Sequence, residues 1–296
     1  MKGVISIAVG KKYISQAKYL ALSAILNAPH IMRAVVTDKP EALAEYYDIV
    51  IPYNAEYGDP FATKTRLHLY TPFEKTLYID ADSLIINNID SYWEYLEDNS
   101  FVYNGSLLTE GEWYFNIKKT IRQIDIKWLP KFNSGMFLFK KSAVAKQIFD
   151  TAYDYLIHQN ERGMSVDFFR GKMLPDEPFL AIALAKNNIA PVEDYRRFSR
   201  TLIDAGKIRL DVIKRFASFY KGGKFVFPLV VHFCGNFGNL FFLREKIKLF
   251  LYFNSPINRL SSSVFISIRK LFALFVRGGG GVLVRTSRNF WNGVYI

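Results

Sequence analysis

The segment YIDADSLI, Tyr78–Ile85, sets two acids one residue apart at the end of an apolar run. Unpaired carboxylates are costly to bury, so a pair in this place needs a task other than packing. Working back from it, the chain alternates between two hydrophobic periods. Gly3–Val9 reads as a buried strand, and Tyr13–Ala28 has helical spacing at Ile14, Ala17, Leu20, Ala21, Ala24 and Ile25, stopping at Pro29. A strand at Ile31–Thr37, a short helix after Pro40, a strand at Tyr47–Pro52, a helix at Thr63–Tyr70 and a strand at Lys75–Ile79 follow. Strands alternating with helices predict an α/β fold with a mixed, mainly parallel sheet covered on both faces. In such sheets ligands bind beyond the carboxyl ends of the strands, and Asp80 and Asp82 lie at one such end.

The acids suit a metal. Two carboxylates flanking one small residue can both turn toward a hard divalent cation, which prefers oxygen ligands and keeps positions open for phosphate oxygens. An ordinary strand-end turn is the plainer alternative, because Asp is common in turns. Three further stretches bear on the choice. In KFNSGMFLFKK, Lys131–Lys141, an Asn and a Gly open an apolar strand, and the backbone at Gly135 is free to approach a ligand. A helix from Ser142 to about Ile157 follows. In LPDEPFLAIAL, Leu174–Leu184, Asp176 and Glu177 fall at the first turn of a helix, where carboxylates complement the dipole. In LVVHFCGN, Leu229–Asn236, His232 ends an apolar strand, and imidazole also suits ions such as Mn²⁺.

Composition bounds the rest. With 296 residues, half of them apolar or aromatic, the chain is long enough for one large domain or a domain with an appendage. Cys234 is the only cysteine, which excludes an intrachain disulfide framework and points to a reducing, cytoplasmic setting. The apolar part of MKGVISIAVGKK is short against the ~7–15-residue core of a secretory signal, so it is read as the first strand, and the Asn104-Gly105-Ser106 sequon carries little weight. The net charge of +12 is uneven. Residues 241–296 hold nine Lys or Arg and one acid, leaving 39 − 9 = 30 basic and 27 − 1 = 26 acidic residues in 1–240. This tail mixes Phe, Leu and Ile with Arg and Lys at amphipathic spacing, and Gly278–Gly281 reads as a flexible joint. The expectation is a domain over 1–240 and a basic amphipathic helical extension over 241–296. The extension would sit peripherally on the anionic inner face of a membrane, or else pack on the core or on a partner chain. No run is apolar enough to span a bilayer, and no nucleic-acid module is recognisable, so no nucleic-acid partner is expected.

Taken in order, KTLYIDADSLIINNID, FNSGMFLF, PDEPFLAIAL and HFCGN resemble the family 8 retaining glycosyltransferases, the group that includes glycogenin, over roughly residues 1–238. The resemblance implies a GT-A type nucleotide-diphospho-sugar transferase fold with a Rossmann-like sheet. It further implies transfer of a sugar from a nucleotide-sugar donor, a UDP-sugar in the first instance, to a glycan or lipid-linked acceptor, as in polysaccharide biosynthesis. It implies Mn²⁺ or Mg²⁺ held by Asp80, Asp82 and His232, with Asp80 also near the ribose. Sugar contacts are implied from Asn133, Gly135 and Asp176, with Asn133 and Asp176 as the catalytic pair, Asp176 to stabilise an oxocarbenium-like centre or act as transient nucleophile. Ala8, Val9 and Tyr13 fall where the base is held, Arg66 where a basic residue meets the nucleotide, and Gly235 in the turn that follows the histidine. Glu177 stands where the family motif has Gln.

The family's H-F-x-G-x-x-K-P-W has no counterpart lysine here, because Gly238, Asn239 and Leu240 take those places. A leaving diphosphate develops negative charge that a cation stabilises. Arg66, Lys221, Lys224 and Arg244 are the candidates to replace that lysine. Two rival functions stay open. One is a nucleotide-sugar-binding protein with little or no catalysis. The other is a haloacid dehalogenase-type phosphatase, which the DADSL segment resembles, although Leu84 stands where that motif wants Thr or Val.

Overall fold

The computed structural model describes residues 1–162, 174–192, 194 and 197–255. The expected alternation of strands and helices builds a six-stranded sheet. Its spatial order is Ile49–Pro52, Met32–Thr37, Lys2–Ala8, Lys75–Ile79, Met136–Lys140 and Phe101–Val102. The first four strands run parallel. Met136–Lys140 enters antiparallel beside Lys75–Ile79 and pairs antiparallel with Phe101–Val102, so the sheet is mixed but mainly parallel. That reversal brings the start of the Met136 strand, and Asn133–Gly135 just before it, to the edge where Asp80 emerges. The register pairs Ile79 with Met136.

Both faces of the sheet are covered. Helix Lys11–Asn27 packs its Ala17, Leu20, Ala21 and Ala24 face against one side. Helices Ala143–Ile157 and Glu177–Lys186 cover the other, and the latter buries every residue from Pro178 to Ala185. A helix apolar all round belongs in the interior. Its polar first turn is therefore carried inward with it.

Two expectations shift. The helix expected over Thr63–Tyr70 is instead Pro60–Lys64 followed by a 3₁₀ turn at Leu67–Leu69. Asp59 caps it, accepting from the Phe61 and Ala62 N–H groups, and Pro60 opens it, a start signal three residues upstream of the expected one. The boundary drawn at residue 240 passes through an unbroken helix, Gly235–Asn254. Phe242, Glu245 and Leu249 of that helix are buried against the small sheets and the first helix, so its inner face belongs to the core. The rest of the basic tail, from residue 256, lies outside the described residues.

A second, three-stranded sheet fixes the site. Ser83–Ile85 pairs antiparallel with Val230–His232, which pairs parallel with Arg200–Thr201. The other edge of Ser83–Ile85 is held by side chains of the first helix. Ser23 Oγ accepts the Ile85 N–H at 3.0 Å, and Asn27 Nδ2 donates to the Ile85 carbonyl at 2.8 Å.

Candidate metal centre

Asp80 leaves the Lys75–Ile79 strand at its carboxyl end, and Asp82 follows one residue before the antiparallel pair with Val230–His232 begins. Backbone bonds lock the turn: the Asp80 N–H donates to the Gly135 carbonyl and the Phe233 N–H to the Asp82 carbonyl, both at 2.9 Å. Asp80, Asp82 and His232 converge as a result, with one ligand atom of each within 4.8 Å of the others. His232 Nε2 lies 3.0 Å from Asp82 Oδ1 and 3.7 Å from Asp80 Oδ2. Burial alone would lower the His232 pKa, but Asp82 and Asp80 more than reverse it, and the net shift is upward. Burial raises and the imidazolium lowers the Asp82 carboxyl, which ends below its ordinary range. Two carboxylates and one imidazole at this spacing fit Mn²⁺ well, and Mg²⁺ less well because of the nitrogen donor.

His232 reaches this position because Gly135 has no side chain. A Cβ there would stand 2.4 Å from Nδ1 and 2.5 Å from Cε1 of the ring. The space that a side chain at Gly135 would take is thus filled by imidazole. Asn133 Oδ1 lies 2.7 Å from His232 Nδ1, so the ring donates from Nδ1 and directs Nε2 at the two acids.

Lys64 was not anticipated. Its ammonium, almost fully buried, lies 3.1 Å from Asp80 Oδ1 and 3.1 Å from Asp176 Oδ2, and it also donates to Ser134 Oγ at 3.3 Å. Burial would lower its pKa, but Asp176 and Asp80 outweigh that and hold it above the ordinary lysine value. Asp80 Oδ1 also accepts from the buried Tyr78 hydroxyl at 2.5 Å, which leaves Oδ2 turned toward His232. Glu177 Oε2 accepts the Ser134 N–H at 2.9 Å, and burial pushes its carboxyl up to about 7 despite that bond.

Neither a family model nor a curated protein matches the sequence. Solved structures do match. Galactosyltransferase LgtC in complex with donor and acceptor sugar analogs is similar at a TM-score of 0.55 and 18% identity, over 84% of this chain and 96% of that one. An active-site mutant of LgtC, with Glu in place of a Gln, is similar at a TM-score of 0.53 and 18% identity, over 80% and 88% of the two chains. The fold is GT-A.

Within this GT-A frame the remaining expected residues fall in different places. Ala8 ends the first strand, beside the strand that delivers Asp80, and Val9 and Tyr13 follow it at the same carboxyl edge. Gly10 between them has φ +87° and donates its N–H to Asp38. Asp176 stands at the N-terminus of the buried helix without a side-chain capping bond, its carboxylate paired instead with Lys64, which also meets Asp80. Gly235, with φ +80°, starts the long helix directly after Cys234, whose thiol burial and the nearby Asp82 push up to about 12. Arg66 engages Asp150 at 3.7 Å and stacks on Tyr153, so the cation touching Asp80 is Lys64, two residues earlier.

Gly238, where the resemblance would put a lysine, is closely packed. A Cβ at Gly238 would meet the Phe233 carbonyl oxygen at 2.6 Å, so no side chain fits there. Of the four cations considered, Lys221 is the one bonded to the small sheet that carries His232. It donates to Thr201, the register partner of His232, and to the Ile203 carbonyl. Arg244 pairs with Glu245.

Proposed function

We propose that the protein is a retaining glycosyltransferase that takes a sugar from a nucleotide-sugar donor, a UDP-sugar foremost, and passes it to a glycan or lipid-linked acceptor. The observation that carries this reading is the convergence of Asp80, Asp82 and His232 at the carboxyl edge of a GT-A sheet, with Asp176 joined to Asp80 through one ammonium. A Mn²⁺ ion held by the three ligands would neutralise charge on the leaving diphosphate. Asp80 presents Oδ2 because Tyr78 and Lys64 occupy Oδ1. Asp176, buried and fixed by Lys64, offers negative charge where positive character develops at the anomeric carbon. In the transfer, the bond from that carbon to the diphosphate oxygen breaks with its electron pair leaving on phosphate. The acceptor oxygen adds on the same face and its proton passes to the departing diphosphate. Lys221 is the side chain best placed among the four candidates to favour that leaving charge.

A panel of nucleotide sugars with Mn²⁺ tests this. Metal-dependent release of a single nucleoside diphosphate is expected, and it should vanish in Asp80→Ala and Asp82→Ala proteins. Metal-dependent binding of a donor without release under any acceptor would favour the binding-only protein, and neither binding nor release would end the transferase reading.

The Gly235–Asn254 helix supports a membrane partner. Leu240, Leu243, Ile247 and Leu251 form an outward stripe, with Leu240 72% and Leu251 62% exposed, and the chain beyond is basic. An amphipathic face next to positive charge suits an anionic bilayer surface, at the inner, cytoplasmic side. The protein should sediment with anionic vesicles at low salt and be released at high salt. Absence of sedimentation at low salt would refute attachment.

A further inference from the structure

We propose that Asn133 and Glu177 form an orientation relay that presets His232 for the metal, which makes both of them positioning residues of the centre. The inference rests on the metal reading above and concerns how this chain prepares its nitrogen ligand. The Asn133 amide is held from both ends. Its Nδ2 donates to Glu177 Oε2 at 3.4 Å, the same oxygen that accepts the Ser134 N–H at 2.9 Å. Its Oδ1 accepts the Gly135 N–H at 3.2 Å.

These contacts settle which way the amide points. Glu177 Oε2 is already an acceptor, taking the Ser134 N–H, and a backbone N–H only donates. Flipping the amide would set its oxygen against the carboxylate and its NH₂ against the Gly135 N–H. Both bonds would be lost and two repulsive pairs made. With the amide so fixed, Oδ1 faces His232 Nδ1 at 2.7 Å and that nitrogen must carry the hydrogen. Nε2 is then the ring atom available to the centre, and it is already aimed there, 3.0 Å from Asp82 Oδ1. The bare Cα of Gly135 provides the slot that lets the ring lie against the amide.

The relay also changes the reading of Asn133. Its amide has a partner at each end, Glu177 and His232, although the residue itself is exposed, so its work on the ring comes in addition to any contact with a sugar hydroxyl. Partners of metal-bound histidines fix the tautomer and ring angle in this way, and losing them typically weakens metal binding 10–100-fold. Glu177 enters through one acceptor oxygen, and a Gln amide oxygen would serve in its place.

The test uses the full chain and metal alone. Free Mn²⁺ is counted by electron paramagnetic resonance for the wild type, Asn133→Leu, Glu177→Leu, Glu177→Gln and Asp82→Ala, beside thermal melts. Mn²⁺ affinity should fall about 10–100-fold in Asn133→Leu and Glu177→Leu, stay within about threefold in Glu177→Gln, and be lost in Asp82→Ala. On unaltered protein loaded with Cd²⁺, ring-nitrogen resonances should show a protonated Nδ1 and a metal-bearing Nε2 on His232. Folded Leu variants that bind Mn²⁺ like the wild type would overturn the relay and leave the metal centre standing. So would a Glu177→Gln protein as weak as Glu177→Leu, or ligation through Nδ1. If the wild type binds no Mn²⁺, or Asp82→Ala binds it equally well, the metal reading fails and the relay with it.

Discussion

Lys64→Met should cost on the order of 3 kcal/mol of stability, because it leaves two carboxylates facing each other without their shared cation. For a domain of this size that is roughly a 6–12 °C fall in Tm. The side chains of Lys64 and Asp176 are each 5% exposed and that of Asp80 23%, so water relieves Asp80 in part and Asp176 hardly at all. Restoring neutrality should therefore restore stability: the double variant Lys64→Met, Asp176→Asn is expected to recover most of the loss. Mn²⁺ should do the same in part, since an ion at Asp80 replaces the lost positive charge, and anything that binds only the folded state stabilises it. The added Mn²⁺ should then raise Tm more in Lys64→Met than in the wild type, while turnover stays low because Asp176 has lost its anchor. Melting curves of the three proteins with and without Mn²⁺ check this. A single variant as stable as the wild type, with no extra response to Mn²⁺, would show that the ammonium is not the clamp its distances suggest.

The second large effect concerns a methyl group. Gly135→Ala puts a Cβ 2.4 Å from His232 Nδ1 and 2.8 Å from Asn133 Oδ1, and neither contact is tolerable. The ring is nearly fully buried and sits on a strand paired on both edges, so the backbone has little room to retreat. The imidazole must rotate away, which removes the nitrogen ligand and the bond to Asn133 together. Overpacking of this kind costs about 1–3 kcal/mol, but the fall in Mn²⁺ affinity should be larger in relative terms, at least on the order of 100-fold. Gly206→Ala is the control, because nothing lies within 4 Å of a Cβ placed there. Mn²⁺ titration of the two variants separates a specific steric block from a general effect of adding a methyl group.

Both experiments turn on residues that the sequence revealed unequally. The parallel core was legible because Gly3–Val9, Ile31–Thr37 and Lys75–Ile79 are short apolar runs divided by a clear helical period, and period is a local property. The Asp80, Asp82 and His232 convergence was inferred from motif order, and the geometry brings those three together. Lys64 stayed hidden for a physical reason. Within FATKTRLHLY it is one of two basic residues two positions apart, and nothing local says which points inward. The signal lay in Asp59-Pro60, a cap and a first-turn proline that start the helix early and set its phase. Arg66, two residues on, then meets Tyr153 and Asp150. The part played by Gly135 was likewise not local, since the atom it makes room for comes from His232. The antiparallel entry of Met136–Lys140 was equally unreadable, because a buried strand has the same composition in either direction.

The small sheet that carries the centre also sets when the centre can exist. Ser83 and His232 are register partners although 149 positions separate them, and the Val230–His232 strand is the last strand of the described chain. Closing so long a loop carries an entropic cost that must be met before the contact repays it, and non-local pairings of this kind form late. A nascent chain that has presented its paired acids therefore holds them without the nitrogen ligand until the segment after residue 226 has left the ribosome and docked. Capture of the proposed metal by all three ligands would then follow the docking of that strand and could not precede it.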